Sequence, residues 1–244
     1  MPPVRGKLNP TLKIASMVRS VRRFAALCSI VAACGCAQAP PSLRIASTWP
    51  LPENELPYDG ARPATHRLQL DLYTFTDTSW QPEKIVKALR EAAPILAQCR
   101  IRLERAELYS LAGGEPRFRY LSTPAGRDLV RRMQPAKPAV FFVRDTRHQP
   151  VYDAEAFGRG NTTTRSELAG TVWITAYIRD LPVALAHELA HVLMDSGEHS
   201  HEPGNLLRED TAPANTSLTA AQCERMTRRG TENGWLQAVM PPPR

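Results

Sequence analysis

Residues 181–207 read LPVALAHELAHVLMDSGEHSHEPGNLL, and the rest of the chain can be organised around them. Asp180-Leu181-Pro182 is a helix start, with an N-cap acid and a proline in the first turn. Val183, Leu185, Leu189 and Leu193 supply apolar positions for burial, so the spacing predicts a helix through about Ser196. His187 and His191 are four residues apart. They share one face about 6 Å apart along the axis, where both imidazoles can reach one cation. Zn2+ suits neutral imidazoles and, in a catalytic set, takes a third protein ligand and leaves one position open to water. Glu188 flanks that position and is placed to accept a proton from the activated water. A bare HExxH arises by chance in on the order of one in a hundred chains of this length. Its place on an amphipathic helix, after a strand and before further histidines, argues against chance.

Gly197 is positioned to end the helix and let the chain swing back. His199 is then the nearest imidazole able to complete a ligand set. His201 is a rival third ligand, and Asp195, Glu198 and Glu202 are weaker, acidic ones. His66 and His148 stand alone. Gly113-Gly114 reads as a turn, and Ser196 and Ser200 lie in no nucleophile motif.

Upstream, residues 66–75 (HRLQLDLYTF) alternate apolar and polar side chains as a half-buried strand does. A helix opens at Pro82, with Ile85, Leu89, Ala92 and Leu96 on one face and Pro94 loosening its last turn. Ile101 and Leu103 begin a second alternating strand. A short helix is expected at 125–133, a fully covered strand at 139–143 and a further strand at 171–175. Residues 145–169 read as a long polar loop of the kind that often carries function. Thr219 to Gln222 form a capping-box start for a last helix ending near Gly230. This order predicts an α/β (α+β) single domain over residues 65–240.

The N-terminus reads as an address. Residues 1–33 hold Arg5, Lys7, Lys13, Arg19, Arg22 and Arg23 and no acid. They end in the apolar run 24–33, too short to span a bilayer permanently. Met17 offers an alternative start. Val31-Ala32-Ala33-Cys34 resembles the lipobox of bacterial lipoproteins, in which the cysteine is lipidated and becomes the mature N-terminus. Cleavage after Ala37-Gln38-Ala39, giving a secreted form, is the alternative. Six prolines between Pro40 and Pro63 predict an extended tether over residues 34–64. The net charge of +7 falls to 25 basic against 24 acidic residues once 1–33 are set aside, so nucleic acid is not an expected partner. With Cys28, Cys34 and Cys36 in or beside the leader, Cys99 and Cys223 remain as a disulfide pair; two buried thiols are the alternative.

His187, Glu188 and His191 resemble the start of the metzincin zinc-peptidase pattern HExxHxxGxxH, particularly its matrixin-like branch. This chain departs from that pattern, since the third histidine's place falls at Gly197. A two-residue insertion before His199 restores the register, and Leu207 then stands where the family's methionine turn has its methionine. The order of elements is also similar to the family's: a strand, a long helix, further strands and an antiparallel edge strand, then the active-site helix and a C-terminal helix. The resemblance implies a mixed twisted sheet, Zn2+ held by His187, His191 and His199, Glu188 as general base and Leu207 flooring the metal. It implies a zinc-dependent endopeptidase whose protein or peptide substrate lies extended along an edge strand at 171–175. A glutamate-ligated zinc peptidase would need Glu209 or Glu224 instead. The expectation is a monomer, lipid-anchored in the envelope of a bacterium. A non-catalytic zinc-binding envelope lipoprotein, binding a partner or scaffolding, is the alternative.

Overall fold

A computed structural model of the chain describes residues 42–146 and 158–239. Residues 1–33, read as an address, together with Cys34, Cys36 and His148, lie outside the described residues. Residues 66–75 form a strand as expected, but a central one. Its apolar side chains on both faces are covered, because helices pack on one side and an aromatic layer on the other. In chain order the described elements are β1 (Arg44–Leu51), a 3-10 turn (Glu53–Glu55), β2 (His66–Phe75), α1 (Pro82–Ala97) and β3 (Ile101–Ala112). A second 3-10 turn (Pro116–Arg119), β4 (Tyr120–Leu121), α2 (Thr123–Met133), β5 (Ala139–Val143) and β6 (Asp145–Thr146) follow. The last are β7 (Gly158–Asn161), β8 (Thr171–Thr175), α3 (Leu181–Met194), α4 (Ala220–Glu232) and β9 (Gln237–Ala238).

The main sheet runs β1-β3-β2-β5-β8-β7, with β9 pairing the start of β2 to make a seventh strand; β4 and β6 pair separately. β3, β2, β5 and β8 are mutually parallel. An antiparallel strand closes each side, β1 on β3 and β7 on β8. Parallel strands need both faces covered. One face packs against α1, α3 and α4 through a large aliphatic core. The other carries a stacked row with one ring from each parallel strand, Tyr109, Tyr73, Phe141 and Trp173, at centroid spacings of 5.0, 4.9 and 4.5 Å. α2 covers this face with Ala125, Leu129 and Val130.

Two expectations are corrected here. The extended tether over 34–64 does not hold through its second half. Residues 44–51 pair along β3, and Leu51 and Leu56 are buried, so the folded part begins well before residue 65. Pro50 is tolerated because β1 is an edge strand, which is where a ladder accommodates a proline. Likewise residues 171–175 are not the edge. β8 is flanked by β5 and β7 and is buried along its length. The antiparallel edge is β7, from within the segment read as a loop, and its Gly-Arg-Gly-Asn composition hid it from propensity.

The helices follow their capping chemistry. At α4 the Thr219 side chain accepts from the Gln222 amide while the Gln222 side chain accepts from the Thr219 amide. α1 continues through Pro94, which falls in its last turn. Asp180 stands at the N-cap of α3, but its side chain makes no capping bond. Cys99, after α1, is disulfide-bonded to Cys223 in α4. A crosslink across 124 residues restricts the unfolded chain by about 5 kcal/mol in the loop-entropy model.

Candidate metal centre

α3 is buried on nearly every side, wedged between α1, α4 and the β7–β8 end of the sheet. A helix so enclosed has few polar positions, so the three that interrupt its apolar run stand out: His187, Glu188 and His191. The two histidines are 3% and 5% exposed. Each ring is fixed from behind by a backbone carbonyl. His187 Nδ1 lies 2.7 Å from the Leu206 oxygen, and His191 Nδ1 lies 2.8 Å from the Ser196 oxygen. A carbonyl only accepts, so both Nδ1 atoms carry the proton and both Nε2 atoms present lone pairs.

Those two lone pairs face each other, with the Nε2 atoms 2.9 Å apart. Burial holds both rings neutral, pushing His187 down to about 4 and His191 to about 3, with smaller contributions from the neighbouring imidazoles. Two buried acceptors aimed at one point repel unless a cation stands between them. His199 supplies a third imidazole from the exposed loop, its ring centroid 5.5 Å from that of His187 and 5.0 Å from that of His191. One ring nitrogen from each of the three lies within 4.8 Å of the others, so the set could hold a metal ion. An all-imidazole set with its buried members held as neutral Nε2 donors suits a borderline cation such as zinc.

The loop brings in His199 and leaves out its rivals. The helix stops two residues earlier than Gly197 would have stopped it, at Asp195, which adopts the left-handed conformation (φ 52°). The Asp195 carboxylate accepts from the Thr163 amide and hydroxyl, both at 2.7 Å, tying the end of α3 to the loop after β7. It is therefore a clamp and not a ligand. Glu198 pairs with Arg225 at 2.7 Å and accepts from the Ser196 hydroxyl. Arg225 also donates to the Met194 carbonyl, which anchors the turn to α4. His201 and Glu202 are exposed and stand outside the three-histidine group. Leu207 is buried in the main core, and its carbonyl accepts from the Ser200 amide at 2.7 Å. The bend at 205–207 thus braces the His199 segment while Leu206 orients His187.

Glu188 points from the same helix toward β7. Its Oε2 accepts a hydrogen bond from the Gly160 backbone N–H. Burial pushes its carboxyl up to about 7, against the smaller pull of that N–H and of Arg159. A carboxyl poised near neutrality, on the helix that carries two of the clustered histidines, is suited to exchanging protons with water. Sequence reasoning missed the partners that set this geometry: Gly158, Gly160, Thr163, Arg225 and the Leu206 and Ser196 carbonyls. Only the glycines left a signal, since alternate glycines inside a strand mark a close backbone approach.

No protein-family model matches this chain, and no curated protein is similar to it at a significant level.

Proposed function

We propose that the chain is a zinc-dependent endopeptidase of metzincin-like type. The observation that carries this reading is the convergence of the His187, His191 and His199 ring nitrogens, two of them from the helix that also carries Glu188. The antiparallel edge strand ahead of the active-site helix adds support, now at β7. His187, His191 and His199 would hold the zinc, and Leu207 belongs to the bend behind them. When bound, zinc supplies a Lewis acid that makes water a nucleophile near neutral pH and polarises the scissile carbonyl.

The chain's own residues do the rest. Glu188 Oε2 is engaged by Gly160, so Oε1 is the oxygen that accepts the proton of the attacking water and passes it to the leaving amine. The outer edge of β7 pairs with no described strand. Apart from the Gly160 N–H that Glu188 engages, its backbone groups are available to an extended peptide in place of residues 171–175. The exposed His199 marks the open side. The lipobox-like stretch ending at Cys34 supports tethering of the enzyme, read as a monomer, at a bacterial envelope, and no helix among the described residues is long and apolar enough to cross a membrane.

The test is zinc content and hydrolysis of unfolded proteins by the purified protein, with and without a chelator. Glu188→Ala is expected to keep zinc and lose hydrolysis by about 10³-fold. His199→Ala is expected to lose zinc, and His201→Ala to keep it. Stoichiometric zinc without chelator-sensitive hydrolysis of any protein or peptidoglycan peptide would establish the non-catalytic lipoprotein instead.

A further inference from the structure

We infer that the two glycines of β7 are positioning residues for Glu188, with separate tasks: Gly158 clears the space its carboxylate occupies, and Gly160 supplies the amide that aims it. The inference rests on the zinc-peptidase reading for its kinetic consequence, but its structural content is independent of that reading.

Alternate residues of a strand share a face, so Gly158 and Gly160 turn toward α3 together. The register is pinned by Asn161, whose side-chain amide donates to the Thr171 carbonyl and hydroxyl, both at 3.2 Å. Neither glycine has a positive φ, unlike Gly113, Gly114, Gly170, Gly204 and Gly234. Backbone conformation therefore does not demand glycine at 158 or 160, and glycine weakens a strand. The demand is for space, and it differs between the two. A Cβ on Gly158 would stand 2.6 Å from Glu188 Oε1, 3.0 Å from its Cγ and 3.1 Å from its Cδ. Every one of those atoms belongs to the Glu188 side chain. A Cβ on Gly160 would stand 2.6 Å from the Glu188 backbone oxygen, 3.2 Å from His191 Cβ and 3.3 Å from Val192 Cγ2.

Gly158 is thus matched to a side chain and Gly160 to the helix itself. With Oε2 held by the Gly160 N–H, a methyl group at 158 pushes Oε1 out of its place or breaks that hydrogen bond. Either result moves the proton acceptor while leaving the histidines where they are.

The experiment is a double-mutant cycle on the full chain. Gly158→Ala, Gly160→Ala and Glu188→Ala are compared singly and in both Gly/Glu188 pairs. Thermal midpoints are read on the metal-free protein, and zinc stoichiometry, kcat and KM on the loaded protein. Gly158→Ala is expected to lower the midpoint by about 5 °C in the parent and to cost almost nothing in the Glu188→Ala background, where the colliding atoms are gone. Gly160→Ala is expected to stay costly in the Glu188→Ala background, where the helix backbone it meets remains, and to cost somewhat more in the parent, where the hydrogen bond to Oε2 is lost as well. In the loaded protein Gly158→Ala should bind zinc at parental stoichiometry, with kcat down about 100-fold and KM little changed. An equal midpoint loss for Gly158→Ala in both backgrounds, or an unchanged kcat, overturns the inference. If Gly158→Ala does not fold, recovery of folding in Gly158→Ala/Glu188→Ala supports it and failure of both overturns it. If the parent hydrolyses nothing, the peptidase reading falls, while the midpoint cycle still decides the role of Gly158.

Discussion

The two edges of the main sheet solve opposite problems. β1 lies on the surface: Arg44 to Pro50 are all exposed, and Ile45 and Trp49 keep 48% and 39% of their surface in water. β7 is half as long, has no large apolar side chain and presses on α3 closely enough that a methyl group at Gly160 would enter the helix backbone. A proline guards the first edge, and glycines strip the second. An edge kept from neighbours needs fewer ladder donors, whereas an edge that lines a site needs its backbone bare and near. Both strands look like loops by composition, for these two different reasons.

The sharpest way to break this comparison is one substitution made at each edge. Valine is the better strand former, yet Gly160→Val is expected to destabilise by about 3 kcal/mol or more, because β7 must lift off α3. Ser47→Val on β1 is expected to stay within about 0.5 kcal/mol of the parent. Urea unfolding of the two variants measures both. Equal, small effects would mean that β7 does not rest on the helix.

The edge over the site should also feel pH. In the metal-free protein His187 and His191 titrate at about 4 and about 3, below an ordinary imidazole. The unfolded chain therefore binds their protons first. Stability is full above about pH 6.5 and is lost as pH falls from there. Glu188, raised to about 7, works the other way, regaining stability as pH falls through 7 toward its ordinary range. Two protons oppose one, so unfolding free energy should drop by up to about 1.4 kcal/mol per unit between pH 6.5 and 4.5. Glu188→Gln removes the opposing proton and should roughly double that slope. A flat profile in both proteins would contradict neutral, buried imidazoles.

How much of this was legible varied with the kind of signal. α3 and β2 were readable from apolar spacing, and α4 from Thr219 and Gln222, since a capping box is written in two side chains. The His187–Glu188–His191 triad was readable because helix periodicity alone sets its geometry. His199 was readable as the next imidazole after the helix stop, although that stop comes at Asp195 and not at Gly197. There two hydrogen bonds from Thr163 offset the cost of a left-handed aspartate. The carbonyls of Leu206 and Ser196 leave no trace in side-chain identity, so the tautomers of the histidines were not readable at all. β1 and β7 were lost because strand pairing there is made by backbone.

A smaller effect probes the clamp that follows β7. Asp195→Ala removes both Thr163 hydrogen bonds and leaves a Cβ-bearing residue at positive φ. A loss of about 2 kcal/mol is expected by urea unfolding. Asp195→Gly loses the same bonds but relieves the backbone, so it should cost about half as much. If alanine and glycine prove equivalent, the aspartate is not holding a strained turn.

The smallest effect is expected at β1. Pro50 faces Glu107 of β3 in a strand whose other side pairs with no described neighbour. Pro50→Val restores a backbone donor and raises strand propensity, so folding stability should change by no more than about 0.5 kcal/mol. What should change is association. An exposed edge carrying Ile45 and Trp49 loses its guard and becomes a template for a second chain. Sedimentation is expected to show concentration-dependent self-association of Pro50→Val with unchanged unfolding. Adding Ser47→Lys to that variant should suppress it by placing a charge on the same edge. A Pro50→Val protein that stays monomeric at every concentration would mean that β1 is kept apart by its twist and bulge at Ala46, not by its proline.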